Sequence, residues 1–122
     1  MDRIKDFLKL LRELQKIDPE FPLQYAVALG IISLQEGLSV SCLAEKINLS
    51  LSTTSRIVGA LSNARQKGEA YGLVHVKISP HEKRRKEIYL TTKGRLFINS
   101  IEDLLENKKT ADSIKPRIAS AL

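Results

Sequence analysis

Tryptophan is absent from this chain, cysteine occurs once, and only six residues are aromatic, three Tyr and three Phe. A single Cys excludes an internal disulfide and any multi-cysteine zinc site. No apolar run reaches the ~18–20 residues that a membrane span needs. The longest, Tyr25 to Leu34, is short and holds Gly30 and Ser33. The N-terminus mixes Asp2, Arg3, Lys5 and Asp6 and lacks the apolar stretch of a signal peptide. A soluble, reducing, cytoplasmic setting without a membrane is the expectation. There is no P-loop, no glycine-rich dinucleotide fingerprint and no nucleophile elbow. His75 and His81 lack a partner Cys or a close acidic pair at metal-ligand spacing, so neither a metal nor another cofactor is expected. The expectation is a protein that is not an enzyme.

What the chain does have is 122 residues, 43% of them hydrophobic, enough for one packed domain. Lys and Arg number 20 against 14 Asp and Glu, a net charge of +6 that favours a polyanion partner.

Hydrophobic spacing predicts the elements. Ile4, Phe7, Leu8, Leu11 and Leu14 recur at helical intervals between charged residues, an amphipathic helix of about four turns. Asp18-Pro19 and Phe21-Pro22 break it, and Pro22 suits the first turn of a second helix, closed by Gly37. That helix is apolar almost all round and reads as the central buried one. Leu38-Ser39-Val40 is too short for an independent strand but suits pairing at a sheet edge. Ser41 is the expected N-cap of a short helix to Ile47. After the turn Asn48 to Ser50, Ser50 caps a longer helix from Leu51 to about Lys67, with Gly68 as its stop. Thr54, Ile57, Val58 and Leu61 form its stripe. Ser52, Thr53, Ser55, Arg56, Gly59 and Ala60 lie off it.

Val74, Val76 and Ile78 alternate with His75 and Lys77, and Glu87 to Leu90 alternates again. Two strands about the polar segment Ser79 to Lys86 make a hairpin. Thr91 caps a last helix carrying Leu96, Phe97, Ile101, Leu104 and Leu105, which Lys108-Lys109 end. Residues 109–122, interrupted by Pro116, form a tail or a short helix. The fold class is mainly α with a small β-hairpin wing (α+β), a winged helix-turn-helix in a single domain of residues 1–122. Its core is 38–91, and helices 1–17 and 92–108 flank it.

In such a fold the second helix of the pair enters the major groove. Small and polar side chains let its backbone approach, and Ser52, Thr53, Ser55 and Arg56 are of that kind. A solvated helix face would have the same composition. The run Lys83-Arg84-Arg85-Lys86 at the hairpin tip gains nothing from a protein core. Beside a helix-turn-helix it falls where a minor groove or DNA backbone would lie.

Residues 41–94 resemble the winged-helix core of the multiple-antibiotic-resistance regulator (MarR) family. Cys42-Leu43-Ala44-Glu45-Lys46-Ile47 resembles the first helix of its motif. Leu49 to Val58 is similar to the recognition helix, with Thr54 where Val is usual. Leu73-Val74 resembles the entry to the wing. Glu82-Lys83-Arg84 followed by Leu90-Thr91-Thr92-Lys93-Gly94 resembles the wing signature, with Glu82 in place of the usual Asp as the carboxylate that orients Arg84. About seven residues between Leu61 and Gly72 are additional, either a longer recognition helix or a loop before the wing.

The resemblance implies a sequence-specific regulator of double-stranded DNA, acting as a homodimer, with the recognition helix in the major groove and the wing on the minor groove. It implies dimerisation through the terminal helices, for which Ile4, Phe7, Leu8, Leu11, Ile101, Leu104 and Leu105 supply apolar stripes. Those stripes exceed what a small domain has to cover, although they could also pack on the chain's own core. Family members often bind small effectors between the dimer arms and the DNA-binding lobes, but no pocket residue carries over to name one. Cys42 reads as a small packing residue. The other readings are a winged-helix protein-interaction module and a DNA-binding replication or maintenance factor of a plasmid or phage.

Overall fold

The computed structural model describes residues 2–63, 70–81 and 85–119, with side chains of the last helix as far as 106. Five helices and one antiparallel hairpin follow in the order α1 (Asp2–Ile17), α2 (Leu23–Leu34), α3 (Val40–Ile47), α4 (Leu51–Leu61), β1 (Val74–Ile78), β2 (Lys86–Leu90) and α5 (Thr92–Ala119). The mainly helical winged-helix architecture is the one expected. The core gathers Leu29 and Ile32 of α2, Leu43 of α3, Ile57, Val58 and Leu61 of α4, and Leu73, Val74, Ile88 and Leu90 at the wing root.

After α1 the Asp18 side chain accepts the Glu20 N–H at 2.9 Å, a local turn that ends the helix. Pro22 is the N-cap of α2 rather than a first-turn residue, with φ −64° and ψ 137°. A cap residue donates no helical bond, so the missing N–H costs nothing there. Gln35, not Gly37, closes α2, its N–H reaching Ile31 O and Ile32 O. Gly37 serves the next turn instead, at φ +92° against the Tyr89 hydroxyl. The expectation that α2 is buried all round also fails. It buries Ala28, Leu29 and Ile32, while Leu23 is 73% and Leu34 88% exposed. Nothing among the described residues covers Leu23 or Leu34.

Leu38 to Val40 does pair at the sheet edge. Ser39 bridges Glu87, and the Ile88 N–H donates to Leu38 O at 3.0 Å. This pairing fixes where α3 starts. Ser39 rather than Ser41 is the N-cap, accepting the Cys42 N–H at 3.0 Å, and Ser41 faces solvent. Asn48, in the left-handed region at φ 56°, turns the chain into α4. Ser50 caps α4 as expected, accepting the Thr53 N–H at 3.1 Å. Thr54 is fully buried, and its hydroxyl donates to Ser50 O at 2.8 Å, which explains how a polar residue replaces Val in the stripe. Ala60 is buried as well, although its spacing had placed it off the stripe.

Helix α4 ends at Leu61 and does not run on toward Lys67. The chain returns at Tyr71, whose N–H bonds Ala60 O, while the Leu73 N–H bonds Leu61 O at 2.7 Å and the Gly72 N–H bonds Ser62 O. The carbonyls of Ala60 and Leu61, which further helical turns would need, are thereby occupied. The additional residues leave and rejoin the fold at one place, so the wing starts where the helix stops. Lys67 and Gly68 lie outside the described residues. Tyr71 seals this junction. Its ring packs edge-on against Phe21 and Tyr25, and its hydroxyl donates to Asp18 at 2.6 Å.

In the hairpin Val74 pairs with Leu90 and Ile78 with Lys86. Only the root is buried: Val74, Ile88 and Leu90 pack inward, whereas Val76 and Ile78 are exposed. The Thr91 hydroxyl donates to Gly72 O at 2.6 Å and accepts the Gly94 N–H at 3.0 Å, capping α5 onto the wing root. Helix α5 then continues through Lys108-Lys109 and Pro116 to Ala119 rather than stopping before a separate tail. Cations favour a helix C-terminus without terminating one, and no Gly or Pro lies between Arg95 and Lys115.

Glu36 ties α2 to this junction. Its carboxylate accepts the Leu90 N–H at 2.9 Å and the Arg95 guanidinium at 2.6 Å. The Arg95 bond first, and then the Leu90 N–H, hold the Glu36 carboxyl below its ordinary pKa. A lowered pKa contributes stability above the carboxylate range that is lost as the pH falls through it. Glu36→Ala is expected to cost ~1–2 kcal/mol at pH 7, Arg95 being half exposed. The difference from wild type should shrink in urea melts taken below about pH 4.3. A gap that stays constant down to pH 3 would show that ionisation of Glu36 contributes nothing.

Candidate nucleic-acid interface

Helix α4 is anchored by one face and capped by Ser50, which leaves its first turns outward. Ser52, Ser55 and Arg56 are exposed. Thr53 is half-buried and its hydroxyl accepts from the Ser50 hydroxyl at 2.9 Å, and the Ser52 hydroxyl also lies in hydrogen-bond contact with Ser50, at 3.2 Å. The tip-side start of β2 lies alongside, with Arg85 and Lys86 exposed. Glu82, Lys83 and Arg84 fall outside the described residues.

Between α4 and the start of β2 lies a cleft of about 530 Å3, lined by Ser39, Val40, Ser41, Leu51, Ser55, Arg85 and Lys86. It joins three segments far apart in sequence. Ser41 and Leu51 had not been singled out as contact residues, because the signal that places them there is the non-local pairing of Leu38 with Ile88. On the hairpin His75 stacks on the Tyr89 ring with centroids 5.7 Å apart, and the Lys77 ammonium stands 5.2 Å from the same ring. The Tyr89 hydroxyl donates to Glu87 at 3.0 Å, and that carboxylate is the first cause of its raised pKa. His75 is thus a packed strand residue. Among the described residues no cluster of His, Cys, Asp and Glu could hold a metal ion. Nor is any helix there long and apolar enough to cross a membrane.

The apolar stripes at the two ends are only partly covered. Helix α1 buries no residue at all. Ile4, Phe7, Leu8 and Leu105 are exposed, while Leu11, Ile101 and Leu104 are half-buried. Together with the uncovered face of α2, these helices bound an apolar groove of about 590 Å3 that includes Phe7, Leu11, Val27, Gly30, Phe97 and Ile101.

No family model and no curated protein matches the sequence. Solved structures match the fold. The S. aureus MepR–DNA complex superposes with a TM-score of 0.74 at 18% identity, over 98% of this chain and 91% of that one. The MarR family transcription regulator SP03579 gives 0.63 at 18% identity, over 88% of this chain and 66% of that one. The chain has the winged-helix fold of the MarR family. CouR, a transcriptional repressor bound to a 23-mer DNA duplex, gives 0.61 at 18% identity, over 98% and 85% of the two chains. In MarR terms α3 and α4 are the helix-turn-helix, β1 and β2 the wing, and α1 and α5 the flanking helices.

Proposed function

We propose that the chain is a MarR-family transcriptional regulator, a cytoplasmic homodimer that binds double-stranded DNA sequence-specifically and has no catalytic role. The observation that carries this reading is the exposed polar face of α4 beside the basic start of β2. Ser52, Ser55 and Arg56 are exposed on a helix whose other face is locked in the core. A protein-interaction module would expose apolar side chains at those positions. MepR and CouR, which share the fold, are both solved with DNA. Occupancy of an operator would block or recruit polymerase. A replication or maintenance factor would use the same DNA contacts.

The two-fold partner is supported by the exposed stripes on α1 and α5. A dimer doubles the phosphate contacts and sets two recognition helices about one DNA turn apart. The wing tip, with Arg84 oriented by Glu82 and Lys83 beside it, is assigned to the minor groove on the strength of the motif. No residue here names an effector. Selection of bound sites from random duplexes tests the reading directly. Enrichment of a two-fold repeated site supports it, and absence of any enriched sequence would refute it.

A further inference from the structure

The sequence presents Ser52, Thr53, Ser55 and Arg56 as one surface, but the structure divides them. Leu51 and Ser55, one turn apart, line the cleft shared with Ser39, Ser41, Arg85 and Lys86. Ser52 and Arg56 form the next row, about 100° round the helix, and do not line it. Thr53 turns back to Ser50.

Among the described residues the cleft lining holds two cations and three hydroxyls and no carboxylate. The Ser39 oxygen already accepts the Cys42 N–H. Ser41 and Ser55 make no side-chain hydrogen bond among the described residues, and neither Arg85 nor Lys86 is ion-paired to a described carboxylate. Cations and hydroxyl donors that converge here without a partner among the described residues match the charge and hydrogen-bonding capacity of a phosphodiester.

We infer that this cleft seats one DNA backbone phosphate, held by Arg85 and Lys86 with Ser41 and Ser55 donating. The inference rests on the DNA-binding reading and deepens it. Ser55 then sets the register of α4 on the duplex and carries no sequence information, and base readout falls to Ser52 and Arg56. The cleft spans the start of α3, α4 and the start of β2, so a phosphate in it fixes the recognition helix and the wing on the same strand.

The test uses the full chain, a duplex selected by the wild type, and a scrambled duplex of equal length, titrated at three salt concentrations. Ser55→Ala should weaken both duplexes by the same factor, about 3-fold to 10-fold. Lys86→Ala should also weaken both alike, and should flatten the slope of log K on log salt by ~0.9 per subunit. Arg56→Ala should instead reduce the preference for the selected duplex about 10-fold. A Ser55→Ala variant that loses preference, or a Lys86→Ala variant with the wild-type salt slope, would overturn the phosphate seat while leaving DNA binding intact. A wild type that binds no duplex would overturn the DNA-binding reading and the seat together.

Discussion

Gly94→Ala is expected to unseat α5 from the wing and lower the stability of the whole chain by ~3 kcal/mol or more. A Cβ at Gly94 would sit 2.0 Å from the Leu73 carbonyl oxygen and 2.9 Å from its carbon. Those are backbone atoms, held on both sides. The Leu73 N–H bonds Leu61 O, and Leu73 O accepts the Thr91 N–H at 3.0 Å. Relief would require the first turn of α5 to lift, breaking the Thr91 hydroxyl bonds to Gly72 O and from the Gly94 N–H. The Leu-Thr-x-x-Gly signature thus has a physical basis: Thr91 caps and bridges, and Gly94 admits a carbonyl where any side chain would strike it. At ~4–8 °C per kcal/mol for small domains, a melt should fall by about 10 °C or more. A variant melting within ~2 °C of wild type would show that the junction is soft, and the account of the signature would be wrong.

Leu8→Glu is expected to convert the protein to monomers that remain folded. Leu8 is 52% exposed in the single chain and α1 buries no residue, so the substitution leaves the core intact. In a two-fold interface each substitution acts twice. Losing a buried Leu removes ~1.5–3 kcal/mol of apolar transfer per copy, and a desolvated carboxylate adds to that. Together these weaken association by about 1,000-fold or more. Leu104→Glu on α5 should act likewise, with some loss of monomer stability because Leu104 is half-buried. Light scattering at micromolar concentration, paired with circular dichroism melts, separates dissociation from unfolding. A folded Leu8→Glu dimer would remove α1 from the interface. A wild-type monomer would remove the dimer altogether.

Much of this architecture is local and therefore readable from spacing. The Ser50 cap and the stripe Thr54, Ile57, Val58 and Leu61 depend only on residues within α4. The alternation around Val74 and Ile88 likewise locates both strands. What could not be read depends on distant partners. Ser39 displaces Ser41 as the cap of α3 because Leu38 pairs with Ile88. Helix α4 stops at Leu61 because Tyr71 to Leu73 return to its end, which no spacing rule reveals. The apolar circumference of α2 suggests a helix buried all round, without showing that Leu23 and Leu34 stay exposed. The cleft is the strongest case: Ser41, Ser55 and Arg85 converge only after three segments fold together. Charge and composition mark the surface as basic and polar, but do not show that Ser55 faces Arg85 and Lys86 across one cleft.

Sequencing the duplexes that the wild-type protein retains from a random pool tests the central claim most directly. A two-fold chain with one recognition helix per subunit predicts an inverted repeat, its half-sites separated by about one DNA turn or a multiple of it. Positions opposite Arg56 should be enriched in guanine, the base whose edge suits a bidentate guanidinium. Retained sequences with no common element, or a single half-site without its inverted partner, would contradict a dimer that reads DNA through α4.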